Sequence, residues 1–329
     1  MQRFWHNVRM NYIGSKKHLL DFIETTVKKE VSSLKNKVFC DLFAGTGAVG
    51  AHFKTKVRKV IANDIEPYAY TLIYNKIKNS STYDLQKIVY APKEGFIYEN
   101  YAKERSYFSE NNAKKIDGLR EAIEKSFICK DINEDQYHYC LASLLFSADR
   151  VANTTGVYGS FLKKLKFMAK SEMKFLPHTF EPSKNKHEVY NQDANELIKT
   201  IEGDILYLDP PYNHRQYGLN YHILNTIVKN ETFEPRGKSG FDKYIRSDYC
   251  QITKVEEALE TLIKEAKFKY IFLSYSNDGI LDKMSIKKIM SKYGSYSVEE
   301  FDHSRYRTSK KSKKGHVTEY LHVVIKDGM

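Results

Sequence analysis

The sequence predicts an α/β protein: a Rossmann-like, mainly parallel sheet interrupted by a helical insertion. Three observations carry that expectation. Short apolar runs end in turn residues and lead straight into helix-period segments, first in VFCDLFAGTGAVG and again in KVIANDIEPYAYTLIYNKI. The same alternation returns after residue 187, in EVYNQDANELI, DILYLDPPY and YIFLSYSND. Between these halves, residues 79–186 offer helical periodicity and no convincing parallel strand. Strand, turn, helix, strand is the pattern of a parallel sheet whose crossovers are helices.

Taken in order, Ser15 to Lys29 reads as a helix, because Leu19, Leu20, Phe22, Ile23 and Val27 form one apolar stripe. A strand follows at Val38 to Leu42, then a glycine-containing turn and a helix from near Gly47. Lys59 to Asn63 is the next strand, closed by an acid and followed by another helix. In the insertion, Ile116, Leu119, Ile123 and Phe127 share one helical face, and QYHYCLASLLFSADRVAN forms a second, mostly apolar helix. After DILYLDPPY come a helix near Lys254 to Lys267, the strand in YIFLSYSND, a helix at Met284 to Tyr293 and a final strand at Tyr320 to Lys326. PRGKSGFDKY (Pro235 to Tyr244) and the basic run after His303 read as mobile loops. The expected division is 1–78 and 187–329 for the sheet domain, with 79–186 as the insertion.

Composition narrows the class. The chain has 329 residues, 41% hydrophobic and 29% charged, and no run approaches the length of a membrane-spanning helix. MQRFWHNVRM has no apolar core or small-residue cleavage site, so no signal peptide is expected. Cys40, Cys129, Cys140 and Cys250 are scattered, with no CxxC, which argues for a reducing cytoplasm and against a metal site or disulfide framework. The net charge of +12 and pI of about 9.2 point to a polyanionic partner, although a lysine-rich, solubilising surface has the same balance. RYRTSKKSKK, from Arg305 to Lys314, holds six basic residues and no acid.

Chemistry concentrates at predicted strand ends, where open α/β sheets bind ligands. In DLFAGTGAVG, Gly45 and Gly47 let backbone approach a ligand, though a tight strand-to-helix turn has the same need. The motif is neither GxGxxG nor a P-loop. Asp64 ends the next strand at the spacing where an acid takes both ribose hydroxyls of a nucleoside, or it caps the following helix. Asp193 in NQDAN can accept from an adenine amino group or act as a cap. In DPPY, two prolines fix the backbone behind Asp209, and Tyr212 offers a flat face. That set suits a stacked base with an exocyclic amine, and equally a proline-stiffened turn with a capping acid.

Taken together, NYIGSKKHLLDFI, DLFAGTGAVG, NDIEPYAY, DPPYNHRQYG and SYSND, in this order, resemble the N6-adenine DNA methyltransferases of the Dam-type, or alpha, arrangement. The resemblance covers residues 10–78 and 187–329. It implies a fold of the S-adenosyl-L-methionine-dependent methyltransferase kind, with a target-recognition insertion. By similarity, Tyr12, Gly14, Ser15 and Lys16 help close the cofactor pocket, with Lys16 at the methionine end. Gly45 and Gly47 would let the cofactor lie over the sheet, beside Asp41 and Phe43. Asp64 would hold its ribose hydroxyls and Asp193 would read its adenine.

The same resemblance makes Asp209, Pro210, Pro211 and Tyr212 the site for a flipped-out target adenine. Arg215, Tyr217, Lys238, Arg305, Arg307, Lys310 and Lys311 are the implied DNA contacts. The expected partners are double-stranded DNA and, in a restriction–modification pair, a cognate endonuclease, with no membrane. Residues 1–9 carry no assignment. An RNA base methyltransferase shares related acid-proline-proline-aromatic chemistry, and a non-catalytic DNA-binding protein could keep the fold. The upstream position of NYIGSKK and the large insertion favour DNA, the intact glycine turn and Asp209 favour catalysis, and Asp209 disfavours cytosine-N4 chemistry.

Overall fold

A computed structural model of the chain describes Met10 and residues 12–214, 216–244, 246–304 and 316–328. The chain divides into two compact units: Met1–Gly14, Asn79–Phe180 and Gly218–Tyr244 form one, and Ser15–Lys78, Glu181–Tyr217 and Ile245–Met329 the other.

The second unit is built on seven strands: β1 (Val38–Asp41), β2 (Lys59–Asn63), β3 (Glu188–Tyr190), β4 (Glu202–Leu208), β5 (Lys267–Ser276), β6 (Gly294–Ser304) and β7 (His316–Lys326). Their order is β3-β2-β1-β4-β5-β7-β6. The first five run parallel, and β7 is antiparallel to both β5 and β6. The chain moves outward from β1 through β2 to β3, then returns to place β4 on the other side of β1. That reversal opens a crevice at the carboxyl ends of β1 and β4, the place where such sheets bind ligands. The register sets Asp41 beside Tyr207, two residues before Asp209.

Alternation along the strands feeds two cores. Phe39, Val60, Tyr207, Phe272 and Val323 are buried in one core with Ile23 and Val27 of the helix Leu20–Glu30 and Phe53 of the helix Ala48–Phe53. Cys40, Ile61, Leu206, Leu208 and Leu273 are buried in the other with Leu259 and Leu262 of Val255–Glu265 and Ile286 and Ile289 of Lys283–Met290. Burying each large apolar side chain contributes ~1.5–3 kcal/mol. An isolated helix of such length is marginal in water, so packing on the sheet holds these helices.

Several elements differ from expectation. The segment expected as one helix from Ser15 opens as a tight 3-10 turn, Lys16–Leu19, and becomes α-helical only from Leu20. Lys16 is buried within that turn. β6 had no apolar signature because none of its described residues is fully buried; it is an edge strand. β7 begins at His316 rather than Tyr320.

The first unit contains the helices Glu110–Ile128 and Glu134–Val151. Ser109 caps the first, and a reciprocal Asn133–Gln136 capping box starts the second. Between residues 79 and 186 there is no strand. The segment Gly218–Tyr244, expected with the sheet domain, falls in this unit. Buried Arg120 explains part of that, donating to the carbonyls of Ile227 (2.9 Å) and Val228 (3.0 Å) at the end of the helix His222–Lys229. Conversely, Asn185 Nδ2 donates to the Val57 carbonyl (3.1 Å), which ties residues before 187 to the sheet unit.

Pro235–Tyr244, expected to be a mobile loop, is an anchored turn closed by an Arg236–Phe241 bridge. Tyr101 Oη donates to Gly240 O (2.6 Å), Ser239 Oγ donates to Gly159 O (2.6 Å), and His222 Nε2 meets Ser239 O (3.0 Å). Among the described residues, no helix is long and apolar enough to cross a membrane.

Candidate active site

The site grows from the turns that follow β1, β2 and β4. After β1 the chain passes through Gly45 (φ +53°) and Gly47 (φ +70°) into the helix Ala48–Phe53. At Gly47 a side chain would be strained by that φ, and its Cβ would press on Ile73 Cγ2 at 3.1 Å. Gly50 has a different constraint: a Cβ there would sit 2.7 Å from Ile77 Cδ1 and 3.2 Å from Asp41 Oδ2. Its absence lets the Gly50 N–H reach Asp41 Oδ2 at 2.8 Å. Lys76 Nζ donates to the Thr46 carbonyl and closes the turn from outside.

Asp64 follows β2 and braces the same turn. Its Oδ2 accepts from the Gly45 N–H (2.7 Å) and its Oδ1 from the Glu66 N–H (2.9 Å). Burial pushes its carboxyl up to about 7, outweighing those two donors, and the Glu66 charge adds to the rise. Asp41 is likewise pushed up to about 7, by burial first, against the Gly50 N–H, with Asp209 and Asp64 adding like-charge repulsion.

Beyond β4, Pro210 is buried and Asp209 stays partly accessible. Lys16 Nζ lies 3.2 Å from Asp209 Oδ1, 3.6 Å from Glu319 Oε2 and 5.1 Å from the centre of the Tyr212 ring. Burial raises the Asp209 carboxyl to about 6; Lys16 opposes that rise and Glu319 adds to it. Burial would lower Lys16, yet Asp209, Tyr212 and Glu319 together hold it well above its ordinary value. Tyr212 is pushed up to about 12 by burial, so its hydroxyl stays protonated. Its ring lies 5.3 Å from that of Tyr275, and its carbonyl accepts from the Ile280 N–H (2.8 Å). In SYSND, Ser276 Oγ donates to Asp278 Oδ1 (2.8 Å).

Lys16, Asp41, Gly45, Gly47, Asp64, Asp209, Pro210, Pro211 and Tyr212 thus share one edge of the sheet unit. Ser15 precedes the first turn without a side-chain cap bond. Phe43 meets Tyr249 edge-on at 5.1 Å. Asp193 is exposed and caps the short helix Ala194–Leu197, its Oδ1 accepting from the N–H groups of Asn195 (2.8 Å) and Glu196 (3.2 Å). Tyr217 begins the short helix Tyr217–Asn220.

In the first unit, Tyr12 stacks on Tyr221 (4.9 Å), Gly14 has a φ of +78°, and Lys238 is exposed in the Pro235–Tyr244 turn. Arg215, Arg305, Arg307, Lys310 and Lys311 lie outside the described residues.

Three residues escaped the sequence reading. Gly50 looked like an ordinary helical glycine. Asn63 staples three strand exits, donating to Leu42 O (3.2 Å) and Gln192 O (3.1 Å) while accepting from Gln192 N (3.0 Å). Glu319 has no motif around it and reaches Lys16 only because β7 runs antiparallel.

A cation suits this edge: the carboxyls of Asp41, Asp64 and Asp209 crowd it, and the glycine turn leaves room for backbone approach. Comparisons with known proteins identify the family. A family model described as D12 class N6 adenine-specific DNA methyltransferase matches residues 12–301. The type II methyltransferase M.NlaIII of Neisseria lactamica is 46% identical over 332 residues, spanning 96% of this chain and 99% of that protein. M.CviAII of Paramecium bursaria Chlorella virus 1, another type II methyltransferase, is 36% identical, spanning 96% and 98%. M.FokI of Planomicrobium okeanokoites is 35% identical over 97% of this chain and 53% of its own length.

Proposed function

The chain belongs to the D12 class of N6 adenine-specific DNA methyltransferases, and on that premise we propose how its residues divide the work. It is a site-specific enzyme of the type II kind, modifying adenine N6 in double-stranded DNA. We assign S-adenosyl-L-methionine as the methyl donor, a cognate endonuclease as the partner activity, and the cytoplasm as the place of work. The support for the donor is the acidic, glycine-lined edge, which matches a sulfonium ion. When bound, it supplies a methyl group whose carbon–sulfur bond breaks as N6 bonds to the carbon, the sulfur keeping the electron pair.

The observation that carries the reading is the β1–β4 register, which sets Asp41 beside Tyr207 and so brings Asp209 next to the glycine turn. Asp64 takes the ribose hydroxyls of the donor, Lys16 lies at its methionine end, and Asp41 and Phe43 flank it. Ser15 helps close that pocket, and Tyr12 and Gly14 are assigned to the donor from the sequence. Asp193 reads the donor's adenine through Oδ2, its Oδ1 being taken by the helix cap.

Adenine N6 is a poor nucleophile because its lone pair is delocalised into the ring. The Asp209 carboxylate and the Pro210 carbonyl accept its two hydrogens, with Pro211 stiffening the turn. That favours a pyramidal nitrogen whose lone pair is free to react. A preorganised charge at such a position is worth roughly 3–4 kcal/mol of barrier. Its raised proton affinity also fits Asp209 to take the proton that N6 then releases. The base must leave its helix first, and stacking on Tyr212 returns ~1–3 kcal/mol of that cost. Tyr217 and Lys238 are assigned to DNA contact, as are Arg215, Arg305, Arg307, Lys310 and Lys311 from the sequence.

Expression in a host without adenine methylation, followed by sequencing of modified bases, tests this. The expected result is N6-methyladenine in one short motif. With Asp209→Ala it should vanish while donor binding stays nearly intact. Unmethylated DNA alongside methylated ribosomal RNA would overturn the substrate, and an active Asp209→Ala would overturn the mechanism.

A further inference from the structure

The transfer site buries one more carboxylate than its chemistry requires. Lys16, Asp209 and Glu319 have side-chain exposures of 4%, 17% and 7%, and the Lys16 ammonium faces both acids. Taking a charge out of water costs several kcal/mol, so an unneeded one is expensive to keep. Glu319 enters from β7, where it lies opposite Ser276 at the end of β5. We propose that Glu319 is a positioning residue for the transfer: it shares the Lys16 ammonium with Asp209 and so limits how tightly that ammonium holds the reacting carboxylate.

The physical reason is competition for lone pairs. Lys16 already reaches Asp209 Oδ1 at 3.2 Å, and with one carboxylate partner the ammonium would tighten that contact toward the ~2.7–2.9 Å of a full charge-assisted hydrogen bond. The Asp209 oxygens would then face Lys16 when they are needed by the N6 hydrogens. With Glu319 opposite, Lys16 rests between two acids, and the 5.1 Å contact with the Tyr212 face fixes its height. Asp209 stays more basic and less occupied. On top of burial, Asp209 in turn raises the pKa of Asp41 from β1, Tyr207 from β4 and Tyr212 beyond it.

The proposal rests on Asp209 being the acceptor for N6, and its test separates the two. In Glu319→Gln, Asp209 loses a like charge and gains a closer Lys16, so both effects lower its pKa. The acid limb of kcat/KM should therefore move to lower pH by about one unit. At neutral pH, kcat should fall about tenfold with KM for the donor changed by less than about threefold, since the loss is in the transition state. Glu319→Asp, which keeps the charge, should keep the limb near its wild-type position.

A limb that stays put or moves upward in Glu319→Gln overturns the proposal. So does a lowered melting temperature with an unmoved profile, which marks a merely structural role. The Lys16–Asp209 pair left behind is neutral, so this variant is expected to fold. Should it not, Lys16→Gln/Glu319→Gln is compared with Lys16→Gln: with no ammonium to share, the limb should move by well under a unit, and a full-unit shift there bypasses Lys16 and overturns the proposal. An active Asp209→Ala would instead remove the premise.

Discussion

Asp41 is buried at the end of β1 and accepts a hydrogen bond from Gly50, yet burial raises its pKa from 3.8 to about 7. An acid whose folded pKa is raised stabilises the fold fully only below its unfolded pKa. That contribution is lost as pH climbs through the folded value, here between about 4 and 7. Asn mimics the protonated acid and can still accept from Gly50. Without ligand, the stability of Asp41→Asn relative to wild type should therefore rise between pH 5 and pH 8, by ~2–3 kcal/mol. The difference is the quantity to read, because His187 and His322, each lowered to about 4 by burial, push the wild-type curve the other way and cancel in it. The same variant should bind S-adenosyl-L-methionine more weakly at pH 8, since the missing negative charge is what a sulfonium needs. Thermal melts at the two pH values, with and without the donor, check both. A variant that loses stability relative to wild type as pH rises would mean that the ionised form of Asp41 is the one the fold favours.

Strand ends, rather than strands, make the site, and Asn63 shows how they are held. One buried side chain bonds the exit of β1 and the backbone after β3 while sitting on β2. Asn63→Ala leaves three backbone groups without that partner, and each buried orphan costs ~1–3 kcal/mol. Several degrees of melting temperature should go, and donor affinity with them, because the Leu42 carbonyl lies just before the glycine turn. Unchanged affinity in a destabilised variant would confine Asn63 to stability. Sequence period alone could locate β1, β2, β4 and β5, since each is an apolar run that ends in a turn. It could also mark Asp64, Asp209 and the glycines, which stand at those ends. It could not see Asn63, whose partners are backbone atoms up to 129 residues away. β6 stayed hidden because an edge strand needs no buried face. Pro235–Tyr244 read as mobile because its order comes from single long-range hydrogen bonds to Tyr101, Gly159 and His222. Glu319 joins the site only through the pairing of β5 with β7, a tertiary fact with no local signature.

At the scale of the whole chain, the excess of twelve positive charges must be matched with a duplex that carries two negative charges per base pair. Lysines that meet phosphates release counterions, so binding weakens linearly in log–log plots against salt, with a slope of about 0.9 per neutralised phosphate on B-form DNA. The densest stretch is RYRTSKKSKK, where Lys310, Lys311, Lys313 and Lys314 fall within five positions. Replacing all four with Gln should reduce that slope by about 3.6 if each meets one phosphate, and by nothing if the run is only a solvated loop. Phosphate contacts position a protein without reading bases, so the methylated motif should not change. Donor affinity should not change either, because the groups assigned to the donor lie elsewhere in the sequence. Fluorescence anisotropy of a labelled duplex between 50 and 250 mM salt (roughly the range over which phosphate contacts are lost) measures the slope. A parallel titration with the donor alone checks that the pocket is intact. A flatter slope with an unaltered motif and unaltered donor binding would assign the run to the DNA backbone. An unchanged slope would remove Lys310 and Lys311 from the DNA contacts and leave the charge to be carried elsewhere on the chain.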